Sequence, residues 1–276
     1  MKVEKLAIAI TFHYVEARLE YLRQTVSQVH LFADQVDIHI FTNEDDQVKH
    51  LKILNAIEER ANVNIEIHVP KYLGHPYLLT WSHFCIFRRL YNFDISITHY
   101  MYLEDDIYIT VKNIQYWLRG RENMRADKLI PGFMRYEKRE NSSDLYSSDV
   151  TNIAQFEKLP RFKMSDDYCF INLPEPYQGM YFLDRELMAE HLNGPSSVPE
   201  GWGAWGIRER AAAGLTFTNI PNGCYSRHFI GYDIKARKVD PSSLIHHLPN
   251  NYANGLNPVM RHHGRIRVAD LIVFPD

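Results

Sequence analysis

The first 110 residues switch repeatedly between two hydrophobic periods, and that alternation decides the fold class. Residues 5–12 (KLAIAITF) form a short, β-rich apolar run. Val15, Leu19, Leu22, Val26 and Val29 then recur at spacings of four and three, the pattern of one helix face. Residues 36–41 (VDIHIF) alternate as a strand, and Leu51, Leu54 and Ile57 suggest a second helix. Residues 62–69 (NVNIEIHV) alternate again, with Val63, Ile65, Ile67 and Val69 on one face. Residues 76–91 read as a helix with Pro76 in its first turn. Residues 99–103 (HYMYL) read as a strand that runs straight into Glu104-Asp105-Asp106. Strand–helix–strand–helix–strand–helix–strand implies an α/β fold, a mostly parallel sheet with helices on its faces. In such sheets ligands bind beyond the carboxyl ends of the strands, and the three acids stand at one of those ends.

The rest of the chain is less regular. Residues 137–167 are polar and rich in Ser, Asp and Asn, which predicts a loop or small subdomain. Residues 180–192 read as a strand entering a helix, 205–214 as a helix stopped by Gly214, and 215–220 (LTFTNI) as a strand ended by Pro221. No repeat, low-complexity tract or domain boundary stands out. A length of 276 residues suits one domain, with halves 1–110 and 111–276.

Composition excludes several classes. Apolar content of 45% and charged content of 24% are ordinary for a globular chain and argue against a fibrous or disordered one. A formal charge of −3 gives no reason to expect a nucleic-acid partner. No run approaches the roughly 18–20 apolar residues that span a bilayer, and the N-terminal apolar stretch lacks the marks of a signal peptide. Cys85, Cys169 and Cys224 are odd in number and far apart, neither a zinc pattern nor a disulfide framework, so a reducing cytoplasmic setting is expected. The chain is rich in Tyr (17) and His (14), residue types that line polar pockets and hold metals.

The acidic triplet is the most informative stretch. In an extended chain Glu104 and Asp106 share a face and Asp105 points the other way. Three adjacent carboxylates repel one another, so a positive group is needed beside them. Mg²⁺ or Mn²⁺, which takes oxygen ligands, is the usual answer; a solvated turn is the plainer one. The spelling Leu103-Glu104-Asp105-Asp106-Ile107 resembles the DxD-type motif of GT-A glycosyltransferases, in particular the EDD version of the N-acetylglucosaminyltransferase I group. The resemblance implies a GT-A (Rossmann-like) mixed, mostly parallel sheet flanked by helices in a single domain. Residues 1–110 would be its nucleotide-binding half, and 111–276 its acceptor half with a metal- and diphosphate-binding tail. It also implies Mn²⁺ or Mg²⁺ bridging the diphosphate of a nucleotide sugar, with Asp106 as main ligand and Glu104 and Asp105 as neighbours.

Other positions acquire roles by the same resemblance. Thr11 and Phe12 end the first strand, where GT-A enzymes meet nucleobase and ribose; a strand end with a helix cap is the alternative. Arg18 and Asn43 are candidates of the same kind. Arg88, on the helix before the triplet, is a candidate phosphate partner. Tyr177-Gln178-Gly179-Met180-Tyr181-Phe182 is similar to the G-L-G-W segment bordering donor and acceptor, and Gly179 would allow close backbone approach to a sugar. Trp202-Gly203-Ala204-Trp205 keeps the aromatic frame of W-D-D-W but lacks both acids, one of which would be the inverting base. Glu200 could take that role, or the mechanism could be retaining. His246 or His247 would supply a further metal ligand. Arg227, Lys235, Arg237 and Lys238 could neutralise a diphosphate. Arg261, His262, His263 and Arg265 form a second cluster, a solvated tail or a surface for anionic lipid.

The function these residues imply is a metal-dependent glycosyltransferase. It would move a sugar from a nucleotide diphosphate sugar, a UDP-sugar above all, to a glycan or glycolipid acceptor of the bacterial surface type. It would work in the cytoplasm or peripherally at the inner membrane face. A nucleotidyltransferase-like enzyme is the first alternative, and Thr11-Phe12-His13-Tyr14-Val15-Glu16 counts against it by lacking a glycine-rich phosphate loop. A catalytically degenerate sugar-binding protein is the second. The missing acids at 203–204 favour it and the intact triplet opposes it.

Overall fold

The computed structural model describes residues 2–200 and 206–274. Its first elements follow the alternation of the sequence: β1 (Lys5–Phe12), α1 (Leu19–Val26), β2 (Gln35–Thr42), α2 (Gln47–Asn55), β3 (Val63–His68), α3 (His83–Phe93), β4 (His99–Glu104) and the short β5 (Ile107–Tyr108). The middle holds α4 (Val111–Met124), β6 (Ile130–Pro131), β7 (Met134–Lys138), β8 (Leu145–Ser147), β9 (Ala154–Gln155), β10 (Arg161–Lys163) and β11 (Tyr168–Ile171). Then come β12 (Met180–Asp184), α5 (Arg185–Asn193), α6 (Ile207–Ala213), β13 (His228–Asp233), β14 (Lys238–Val239), β15 (Leu244–His247) and β16 (Ile272–Val273). The fold is α/β, with mixed sheets and flanking helices. The chain divides into two compact units: residues 2–111 with 179–215, and residues 112–178 with 216 onward. Residues 179–215, in the C-terminal half of the sequence, thus belong to the unit built mainly from the N-terminal half.

In the first unit one sheet runs in the order β12-β4-β1-β2-β3. β4, β1, β2 and β3 are parallel, and β12 lies antiparallel on β4. β1 is an almost unbroken apolar run, with Leu6 to Ile10 wholly buried, as a central strand covered on both faces must be. β3 is only half-buried and forms the edge of this sheet. α2 turns a different face inward from the one its leucines suggest: Ile53 and Ile57 are buried, whereas Leu51 and Leu54 are exposed. Residues four apart share a stripe, and the 53/57 stripe is the one the unit covers. The helix expected over 76–91 is split. Pro76–Trp81 forms a 3-10 turn capped by His75, and α3 follows. Asp184 caps α5 by accepting from Leu187 N. α6 ends at Gly214, whose φ of +54° and approach to Tyr181, 2.8 Å from where a β-carbon would stand, exclude a side chain.

In the second unit β10-β11-β13-β14 form an antiparallel sheet, with β6 parallel to β13. β7 pairs antiparallel with β8 and parallel with β15, and β9 pairs with β16. Residues 137–167 therefore supply β8, β9 and β10, strands of two or three residues that are too short to show a period. Phe156, Leu159, Ile171, Ile230, Tyr232 and Leu271 lie in the core of this unit. α4 is tied in by Tyr116, whose hydroxyl donates to Gly132 O (3.1 Å) and accepts from Gly231 N (2.9 Å). Residues 215–220 form turns and bends instead of the expected strand. Asn219 adopts a left-handed φ of 54°, which breaks an extended run. Among the described residues, no helix is long and apolar enough to cross a membrane.

Candidate functional site

The strand order of the first unit reverses between β1 and β4. The chain leaves β1 to build β2 and β3 on one side and returns to place β4 on the other. The carboxyl ends of β1 and β4 therefore flank the crevice where open α/β sheets take ligands. Thr11 and Glu104 are register partners there. Tyr102, one pleat earlier, donates its hydroxyl to Thr11 Oγ1 (3.1 Å). Glu104 N donates to Gly179 O (3.1 Å), where β12 begins. Gly179 has φ +65°, and a β-carbon on it would stand 2.7 Å from Glu104 Oε2 and 3.1 Å from Ile107 Cδ1. Only glycine allows the chain to enter β12 this close to the triplet.

Asp105 and Asp106 form the turn after β4, and both are buried. Arg18, from the 3-10 turn ahead of α1, closes on them. Its Nε donates to Asp105 Oδ2 (2.8 Å), and its Nη2 donates to Asp105 Oδ1 (2.5 Å) and to Asp106 Oδ2 (2.9 Å). Thr25 of α1 donates to the Asp105 carbonyl (3.0 Å). Burial pushes the Asp105 carboxyl up to about 6, and Arg18 draws it back only in part. The two carboxylates hold the Arg18 guanidinium above its usual value despite its own burial. Arg18 thus supplies one positive charge to two of the three adjacent acids.

The structure brings Thr11, Arg18, Glu104, Asp105, Asp106 and Gly179 to one end of this sheet. The other candidates are engaged differently. Phe12 is buried and meets Tyr14 edge-on at 6.0 Å, so it is packing and offers no face for stacking. Asn43 Oδ1 accepts from Tyr14 N (2.9 Å) and pins the loop after β1 to the end of β2. Arg88 is exposed on α3 and donates to Ser197 Oγ (2.8 Å). Glu200 is exposed in a bend. Trp202 and Trp205, with Gly203 and Ala204 between them, lie outside the described residues.

His246 and His247 sit on β15 in the second unit and alternate across it, the first half-buried and the second buried. His246 stacks on Tyr136 at 4.9 Å, with its Nε2 2.9 Å from Asn250 Oδ1. His247 Nδ1 meets Glu137 Oε1 at 2.5 Å, and the other oxygen of Glu137 accepts from Ala253 N (2.6 Å). Arg227 is buried and donates to Lys128 O (2.6 Å), while Arg237 lies over the Phe274 ring.

Sequence reasoning passed over Thr25 and a second polar cluster in the first unit, His39, Glu66 and His68. The signal for the cluster lies in the off-phase of two alternating strands. In VDIHIF and NVNIEIHV the apolar phase draws attention, while His39, Glu66 and His68 occupy the other.

Chemically, the β4 end offers hard carboxylate oxygens for a divalent cation beside a guanidinium able to meet phosphate. No family model matches the chain, and no curated protein is a significant match to it.

Proposed function

We propose that the chain is a metal-dependent glycosyltransferase of GT-A type that uses a nucleotide diphosphate sugar, a UDP-sugar above all, and a glycan or glycolipid acceptor. The observation that carries this reading is the position of the acidic triplet. Glu104-Asp105-Asp106 ends β4 at the switch point of the sheet, with Thr11 as the register partner of Glu104 and Gly179 against it. The donor set suits Mn²⁺ or Mg²⁺, which prefer carboxylate oxygens. Asp106 and Glu104 would hold the ion. The bound ion supplies Lewis-acid stabilisation of the charge on the leaving diphosphate.

The protein's own residues do the rest. Thr11, at the end of β1, orients the nucleoside. Arg18 holds Asp105 and Asp106 in place and offers positive charge where the phosphates enter. Gly179 lets the backbone approach the sugar. In an inverting course Glu200 would take the acceptor's hydroxyl proton or bind the acceptor; a retaining course needs no such base. Leu256, Val259 and Met260 are exposed next to Arg261 and Arg265, a combination that suits peripheral contact with an anionic membrane carrying the acceptor lipid.

The test is slow hydrolysis of a panel of nucleotide sugars with and without Mn²⁺. This reading expects one UDP-sugar to be cleaved only with metal, and anomeric analysis of the product to separate Glu200 as base from a retaining course. A panel left intact under all conditions overturns it. A second reading, a sugar-binding protein without turnover, has one observation behind it: Arg18 already pairs with both Asp105 and Asp106. That reading expects nucleotide-sugar binding that is indifferent to metal.

A further inference from the structure

On the outer half of the first unit's sheet, three ligand atoms form a nearly equilateral triangle. His39 Nδ1 lies 3.1 Å from His68 Nε2 and 3.4 Å from Glu66 Oε2, and His68 Nε2 lies 3.5 Å from the same Glu66 oxygen. The strands dictate the arrangement. His39 on β2 is the register partner of Glu66 on β3, and His68 follows two residues later on the same face. The His68 ring is held by stacking on buried Phe41, with centroids 4.9 Å apart. His39 is itself almost wholly buried, and its Nε2 has no hydrogen-bond partner, so its polar contacts run through Nδ1.

A tetrahedral ion with bonds of about 2.0–2.1 Å sets its ligand atoms about 3.3–3.4 Å apart. The three observed separations bracket that spacing. A hydrogen-bonded trio accounts for them less well. Only the N···N separation falls within hydrogen-bond range, and the two contacts to Glu66 lie at or beyond the outer limit of a directed bond.

We propose that His39, Glu66 and His68 form a Zn²⁺ site, three protein ligands with the fourth position open to water, which fastens the edge strand β3 to β2. Two imidazoles and one carboxylate are a donor set suited to Zn²⁺ and poorly suited to Mg²⁺. An imidazole binds a metal in its neutral form, and here His39 is buried and His68 half-buried. Glu66 and Asp37 bear on His39 with negative charge and Arg89 of α3 with positive. One ligand comes from β2 and two from β3, so the ion bridges the strands, and β3 has no second neighbour in its sheet among the described residues. The site is separate from the acidic triplet. Glu104, Thr11, Phe41 and His68 lie in one row across β4, β1, β2 and β3. That row puts three inter-strand steps, about 14 Å, between the two centres. The site does not rest on the glycosyltransferase reading.

The experiment is titration of chelator-treated full-length protein with Co²⁺, then displacement by Zn²⁺. The expected result is one Co²⁺ per chain that gives the intense visible absorption of a low-coordinate site, removed by one equivalent of Zn²⁺; any Co²⁺ on the carboxylates after β4 adds only weak absorption. Excess Zn²⁺ should raise the melting temperature by about 5–10 °C. His68→Ala and Glu66→Gln should each weaken Co²⁺ binding at least tenfold, and Asp106→Asn should leave the absorption intact. The Glu66 side chain is 59% exposed, so Glu66→Gln leaves the fold undisturbed. Failure of the wild type to bind Co²⁺, binding unaltered in both variants, or loss of the absorption in Asp106→Asn overturns the proposal.

Discussion

Two clusters on one sheet solve opposite electrostatic problems. At the end of β4 the side chains are charged and buried, and Arg18 compensates Asp105 and Asp106 with hydrogen bonds of 2.5–2.9 Å. Across β2 and β3 the histidines are buried or half-buried, Glu66 is exposed, and the atoms stand 3.1–3.5 Å apart. The first cluster already holds a guanidinium between two of its carboxylates, so an added cation must compete with it. The second is spaced for an ion and holds no competing cation in its triangle. The two proposals divide accordingly: a hard cation at the carboxylates after β4 and a softer one across the edge strand β3.

The largest effect should come from the first cluster. Asp106→Ala is expected to lower metal-dependent nucleotide-sugar turnover by more than about 100-fold, because a direct ligand should matter more than the outer-shell partners whose loss costs about 10–100-fold. Steady-state rates across Mn²⁺ concentrations measure it. A variant within tenfold of wild type would place the ion elsewhere.

Arg18→Gln leaves Asp105 buried beside Asp106 without its guanidinium. Breaking a buried ion pair costs about 3–5 kcal/mol. Arg18 is a third exposed, so a loss of about 2–3 kcal/mol is expected, read as a lower urea midpoint at unchanged slope. If Arg18 competes with the metal, the same variant also binds Mn²⁺ more tightly. Tighter binding combined with lower stability is the signature that separates this account from a purely structural arginine.

The three buried histidines of the first unit set a pH dependence opposite in sign to that of Asp105, whose carboxyl, raised to about 6 by burial, takes up its proton more readily in the folded state. Burial holds His83 and His191 down to about 3 and His99 to about 4, against an ordinary value of 6.5. Their unfolded forms take up protons first as pH falls, so the stability they contribute is complete above pH 6.5 and drains away as pH drops from there towards 4. Melting temperatures between pH 7.5 and about 4 should decline from near 6.5 downward. A curve that stays flat until the carboxylate range, about 4, would contradict it.

The smallest effect belongs to Gly179→Ala. The positive φ and the approach to Glu104 Oε2 predict a loss of about 1–2 kcal/mol. If the glycine also shapes the donor site, KM for the nucleotide sugar rises while the thermal shift stays small.

The contrast between the clusters also shows what a sequence can reveal. β1 and β4 were legible because central strands covered on both faces demand apolar runs, as residues 5–12 and 99–103 are, and β2 and β3 because residues 36–41 and 62–69 alternate. The triplet was legible because three consecutive acids follow directly on an apolar strand, at the end where α/β sheets take ligands. Arg18 appeared only as a weak candidate, because its pairing with Asp105 and Asp106 spans more than 85 residues and depends on how α1 is set against β4. The His39–Glu66–His68 triangle was hidden by register. Nothing in either strand alone states that His39 will lie opposite Glu66. The short strands of the second unit were illegible because two or three residues carry no period, and Leu51 and Leu54 misled because the covered stripe is chosen by the unit around α2.

The most direct test of the central claim is calorimetric titration of UDP into the protein with Mn²⁺ and with chelator, for wild type and Asp106→Ala. The account predicts saturable binding by the wild type in Mn²⁺, at least tenfold weaker binding with chelator, and the same weakening in Asp106→Ala with Mn²⁺ present. Absence of UDP binding in every arm, or equal affinity with and without metal, would contradict it.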